Sequence, residues 1–235
     1  MIETIEFPTA LEHREQSACV TYHPTQSGQK PFEWLQYKHF REFKDELKER
    51  NQQLDYRVDE IRRALDLLND LQTGSLVLNV LDKQMDSKKF IGLFDFNNLI
   101  VMGHSFGAAT AIRSTLAIES VKLGICLDAW LFPLKELDPN LVKKPLLFVN
   151  MEKFQTKQNL IGMKKYIGTD GNNTKDRKVY TIKGAEHTDQ SDIPFIVSPL
   201  ISRVFRMSSS VDPFIVHDLT TALTLEFIAE KLKRK

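Results

Sequence analysis

Apolar positions along the chain divide it into segments of two different periods. Residues 38–71 read as a helix, and in the second half Leu54, Val58, Ile61, Leu65 and Leu68 recur at alternating steps of four and three. Asp55, Arg57, Asp59, Glu60, Arg62 and Arg63 fall between them and face water, and Gly74 is a stop signal, so the helix is expected to end near Leu71. Beyond a polar stretch the pattern changes. Residues 98–103 form a short apolar run closed by glycine, the signature of a strand buried on both faces, and 121–127, 145–150 and 178–183 are further candidate strands. Residues 106–118 read as a helix, and the other gaps are long enough for crossovers. Ahead of these strands only 5–11 reads as another, and 194–207 and 218–233 read as amphipathic helices. Strands alternating with helices predict an α/β fold, a mostly parallel, doubly wound sheet with helices on both faces, as a single domain over residues 1–235.

Composition narrows the function classes without choosing one. The chain has 235 residues, 42% hydrophobic and 27% charged, the balance of an ordinary globular protein. Lys and Arg number 32 against 31 Asp and Glu, so no net field argues for nucleic acid or another polyanion as partner. Cys19 and Cys126 have no metal-ligand spacing, both are expected reduced, and no metal or cofactor is expected. The start Met-Ile-Glu-Thr-Ile-Glu has neither the basic and apolar regions of a secretory signal nor a glycine for myristoylation. A cytoplasmic protein is expected, or a secreted one if a preceding segment carries a signal peptide. No apolar run approaches the roughly 20 residues that cross a bilayer, so membrane contact is expected to be peripheral.

Reactive groups in such sheets gather at the carboxyl ends of strands. Gly103-His104-Ser105-Phe106-Gly107 lies between a candidate strand and a helix, matching G-x-S-x-G in its meaningful context. On so tight a turn a serine is held strained and exposed, and residues without Cβ let strand and helix approach. The bland alternative is a turn without chemistry. A serine hydroxyl needs a base to take its proton and a carboxylate to orient that base. Asp128 follows the next strand; its ordinary use would be to cap the following loop. His187, just past the last strand, is the one histidine of six placed to reach Ser105, whereas the His104 side chain is expected to point away. Asp189 and Asp192 compete with Asp128 as the acid, although the chain order Ser, Asp, His favours Asp128. One oxyanion donor is expected from the N–H of Phe106; no second donor loop is visible in the sequence.

These residues carry a resemblance. Gly-His-Ser-Phe-Gly-Ala-Ala-Thr from Gly103 and Leu-Asp-Ala-Trp-Leu-Phe-Pro-Leu from Leu127 resemble the platelet-activating factor acetylhydrolases, the plasma and intracellular type II enzymes. Residues 11–18, 144–150 and 163–165 extend the likeness through most of the chain. The resemblance implies an α/β-hydrolase that cleaves, without calcium, the short sn-2 acyl group of platelet-activating factor and oxidised phospholipids. It implies Ser105 as nucleophile, Asp128 as acid, His187 as base and Phe106 as an oxyanion donor. It also implies that 194–207 is a segment meeting membrane or lipoprotein surfaces, through Phe195, Ile196, Leu200, Ile201, Val204 and Phe205 with Arg203 and Arg206, a composition equally suited to a core-packing helix. Ala108 stands where the family usually has glycine, with little consequence expected. The family's first strands and second oxyanion donor are expected to be missing from this chain, which is expected to be incomplete at its amino terminus. Losing one donor costs about 10²- to 10³-fold in rate. A catalytically impaired lipid-surface binding homologue and a general short-chain carboxylesterase therefore stand as alternatives.

Overall fold

The computed structural model describes residues 19–22, 32–35, 45–75, 77, 79, 84–167, 176–196 and 209–232. The expected strand at 5–11 and the first part of the expected helix at 38–71 lie outside them. The chain divides into two compact units, Met1–Phe96 and Asn97–Lys235, taken here one at a time.

In the first unit β1 (Cys19–Tyr22) and β2 (Phe32–Leu35) pair antiparallel, Cys19 opposite Leu35 and Tyr22 opposite Phe32, a pairing the apolar pattern does not predict. Helix α1 spans Glu46–Thr73. It starts where Asp45, in extended backbone, accepts from the Lys48 N–H at 3.2 Å, and Glu46 and Glu49 place acidic charge at the positive end of the helix dipole. It stops at Gly74, whose φ of 79° lets the chain turn out while the Ser75 N–H returns to the Asp70 carbonyl at 2.9 Å. The end lies two residues past Leu71. Of the apolar stripe, Leu54 and Val58 are buried and Ile61, Leu65 and Leu68 half-buried.

The second unit carries a four-stranded sheet in the order β3-β4-β5-β6, with β3 Leu99–His104, β4 Val121–Leu127, β5 Leu146–Met151 and β6 Arg177–Ile182, all parallel. Its helices are α2 (Phe106–Ala117), α3 (Lys157–Ile167), the single turn α4 (Ile193–Ile196) and α5 (Pro213–Lys231). Side chains alternate across a strand, so the two faces can be separated. Leu123 and Ile125 of β4 and Leu147, Val149 and Met151 of β5 form one buried cluster with Val216 and Phe227 of α5. On the opposite face a Cβ at Gly124 would lie 2.9 Å from Thr115 of α2, and Asn150 of β5 reaches Met163 of α3 at 3.2 Å. Helices therefore cover both faces, the α/β arrangement predicted from the chain's periodicity.

Burial differs from strand to strand. All six residues of β5 are buried, whereas β3, paired only with β4 among the described residues, is half-buried with Met102 59% exposed. Helix α5 begins five residues before the expected start at 218, because Asp212 accepts from the Phe214 N–H at 2.9 Å and Pro213 supplies a ready-made first helical residue. Phe214, Ile215, Leu219 and Leu225 of α5 are exposed, so the helix is not apolar on its core side alone. Among the described residues no helix is long and apolar enough to cross a membrane.

Candidate active site

Ser105 sits between β3 and α2 with φ 58° and ψ −117°, backbone that an L-residue adopts at a cost of about 1–3 kcal/mol. The neighbourhood holds it there. Its N–H donates to the Leu127 carbonyl at 2.9 Å, continuing the β3–β4 pairing, and its carbonyl accepts from Ala108 and Trp130, each at 3.1 Å. A Cβ on Gly103 would sit 2.1 Å from the Gly107 carbonyl oxygen, so strand and helix approach as expected at this glycine. A Cβ on Gly107 would meet nothing within 4 Å, so close approach does not explain the second glycine of the pattern. Phe106 opens α2 with its N–H at the helix amino terminus and its ring 5.8 Å from that of Trp130.

Asp128 follows β4 with φ 43° and is fully buried. A buried carboxylate must have its oxygens occupied by donors. Oδ1 accepts from the Met151 N–H at 2.9 Å and from Gln155 Nε2 at 2.6 Å, while Oδ2 lies 2.6 Å from His187 Nδ1. The ordinary capping use of this aspartate is not the one it has here. Nor does His187 meet its sequence neighbours. Asp189 is buried and caps the Glu186 N–H at 2.7 Å, and Asp192 is exposed.

His187 starts a short turn after β6, and two other rings pack against its own. Phe154 stacks on it at 3.7 Å with 17° between the planes, and His104 lies 4.3 Å away at 32°. Phe154 thus stacks on the imidazole, and His104 packs against it at a tilt. His104 also places Nε2 3.0 Å from the His187 carbonyl, and because a carbonyl can only accept, that nitrogen carries the proton. The expectation that His104 points away from the site is thus corrected. A histidine next to the serine is drawn to the base by a backbone hydrogen bond that the motif does not reveal. Burial first, and the nearby His187 charge second, hold His104 below its usual 6.5. The Ser105 hydroxyl makes no hydrogen bond to His187 among the described residues. His104, Asp128 and His187 are also the one group of described side chains with metal-ligand spacing, their ligand atoms within 4.8 Å of one another.

The family described as platelet-activating factor acetylhydrolase, isoform II, matches residues 7–235. The chain belongs to that family. The platelet-activating factor acetylhydrolase of the dog is 32% identical over 228 residues, which cover 95% of this chain and 50% of the dog protein. That of the chicken is 33% identical over 237 residues, 96% of this chain and 55% of its own. The chain spans about half the length of the curated relatives it matches. Among solved structures, a ferulic acid esterase from Streptomyces cinnamoneus overlaps with 77% of this chain and 49% of its own at a TM-score of 0.48 and 16% identity.

In this acetylhydrolase-family chain the expected surface segment is described only at its start. Phe195 and Ile196 lie in α4, 43% and 79% exposed, and the Phe195 ring packs 4.8 Å from Phe214 and 5.1 Å from His217. Leu200, Ile201, Val204 and Phe205, with Arg203 and Arg206, lie outside the described residues. Sequence reasoning missed His104, Phe154, Gln155 and Asn159 as neighbours of the Asp128–His187 pair. The last three follow β5, and the rule that functional groups collect after strand ends applies to them as much as to Asp128.

Proposed function

We propose that this chain hydrolyses the sn-2 acetyl, short-chain or oxidised acyl ester of platelet-activating factor and related phospholipids, without calcium, through an acyl-enzyme on Ser105. The observation that carries this reading is the 2.6 Å contact of His187 Nδ1 with the buried Asp128, beside a serine held in left-handed backbone. With Nδ1–H directed at Asp128, the other ring nitrogen is the base. It takes the Ser105 proton as the hydroxyl oxygen attacks the ester carbonyl, and the Phe106 N–H faces the developing oxyanion at the start of α2. The carbon–oxygen bond to the lysophospholipid then breaks and the imidazolium protonates the leaving oxygen. Water, activated by the same nitrogen, attacks the acyl-serine and frees the acid and the enzyme. The hydroxyl-to-imidazole contact tightens on substrate binding in this scheme, as such contacts commonly do. Exposed Phe195 and Ile196, with Phe214 and Ile215, supply an apolar surface for peripheral contact with a lipid interface.

A second reading is a lipid-surface module without turnover, favoured by the lack of a hydrogen bond from the Ser105 hydroxyl to His187. The test is acetate release from sn-2-acetyl glycerophosphocholine in the presence of EDTA. Release by the parent chain and none by Ser105→Ala is expected. Equal background rates from both, with the parent floating on liposomes, would establish the second reading instead.

A further inference from the structure

Asp128 is held at Oδ1 by Gln155, a side chain outside the Ser, Asp and His set, and Gln155 is held in turn by Asn159. Gln155 Nε2 donates to Asp128 Oδ1 at 2.6 Å, and Asn159 Nδ2 donates to Gln155 Oε1 at 2.9 Å. The direction of this chain is set by backbone groups that have no freedom to reverse. The Leu131 N–H can only donate, and it meets Asn159 Oδ1 at 2.9 Å; the Ala129 carbonyl can only accept, and it meets Asn159 Nδ2 at 2.6 Å. The Asn159 amide is therefore fixed with its NH2 toward Ala129 and Gln155. Gln155 must in turn present its oxygen to Asn159 and its NH2 to Asp128. Both anchors, Ala129 and Leu131, lie within three residues of the aspartate itself, so the loop after β4 is tied through α3 and back to its own carboxylate.

We propose that Gln155 and Asn159 are positioning residues that orient the acid, an inference that rests on the esterase reading of the site. Oδ1 is taken up by the Gln155 and Met151 donors, which leaves Oδ2 as the oxygen for His187. Were Gln155 unable to donate, the carboxylate would have one fewer tie and could rotate about its own bond, loosening the imidazole. Were it to carry a carboxylate, two acceptors would face each other at the fully buried Asp128.

The test uses the whole chain with Gln155→Met, which keeps the length and removes the donor, Gln155→Glu, which replaces donor by acceptor, and Asn159→Asp. Two readouts are taken, kcat and KM on the acetyl phospholipid, and the downfield proton resonance of His187 Nδ1–H, assigned by its loss in His187→Asn. A filling role would leave kcat near the parent value in the two isosteric variants. The brace predicts kcat lower by about 10-fold in Gln155→Met and about 100-fold in Gln155→Glu with KM within about twofold. It also predicts that the resonance moves upfield or broadens in both, with Asn159→Asp between the parent and Gln155→Glu. Should the parent show no turnover, the resonance still reads the acid–imidazole bond, so failure of the esterase reading is told apart from failure of the brace. Folded variants with the parent's kcat and an unmoved resonance would overturn the proposal; if Gln155→Glu does not fold, Gln155→Met and Asn159→Asp decide alone.

Discussion

The two halves of the site are built differently. Asp128 follows β4 and accepts from the last residue of β5, the two inner strands of the sheet, with β5 buried at every residue, and His187 follows β6. Asp128 is buried with both oxygens engaged, and the Phe154 and His104 rings pack against His187. Ser105 hangs from β3, which like β6 has one strand neighbour among the described residues, and its hydroxyl makes no hydrogen bond to His187. Precision of the Asp128–His187 pair comes from the hydrogen bonds that occupy the buried carboxylate and from the rings packed against the His187 imidazole, which stays 28% exposed. Precision of the serine comes from one tight turn, in which Gly103 admits the α2 backbone and Ser105 accepts left-handed geometry.

The sharpest way to break this contrast is to weaken each half on its own. Asp128→Asn keeps the shape and removes the charge that orients His187, and is expected to lower kcat by about 10⁴-fold with little change in KM, read from steady-state turnover. Gly103→Ala attacks the other half. Its methyl would meet the Gly107 carbonyl oxygen at 2.1 Å, and the backbone at both ends of the contact cannot swing aside. A loss of about 4 kcal/mol or more, or failure to fold, is expected in urea unfolding. The strands themselves come next. Leu147→Ala, in β5 at 0% exposure, should cost about 3 kcal/mol, whereas Met102→Ala, 59% exposed on β3, should stay within about 0.5 kcal/mol. Similar costs at the two positions would mean that β3 is covered as fully as β5.

The smallest expected effect concerns pH. Because burial, and then the His187 charge, hold His104 below 6.5, the unfolded chain binds a proton at this site before the folded chain does. The resulting stability is complete above 6.5 and is lost as pH falls through that value toward the folded one. His104→Gln should flatten that part of the curve of urea midpoint against pH; an unchanged slope would show that His104 does not carry it.

The same contrast explains what the sequence made legible. β4 has the bounds expected for it and β5 lies within one residue of its own, because a parallel strand covered on both faces reads as a mostly apolar run; β3 and β6, less fully covered, also lie within one residue of theirs. Ser105, Asp128 and His187 were visible as the residues just past strand ends, in the company of a glycine-framed turn. Gln155 and Asn159 were not, since an amide just ahead of a helix and one in its first turn look like any others until the fold brings backbone donors and acceptors to them. His104 was misread because the motif dictates a turn and says nothing of the carbonyl 83 positions later that receives its proton. The capping pair Asp212-Pro213 marks the start of α5 in the sequence itself, five residues ahead of the start expected from the apolar pattern.

One measurement bears most directly on the central claim, that the Asp128–His187 pair activates Ser105. It is the rate at which a fluorophosphonate modifies the chain, with the adduct located by peptide mass spectrometry. The account predicts rapid modification confined to Ser105 in the parent, slowed by at least about 10²-fold in both His187→Ala and Asp128→Asn while the fold is kept. Labelling of Ser105 at the same slow rate in all three proteins would contradict it.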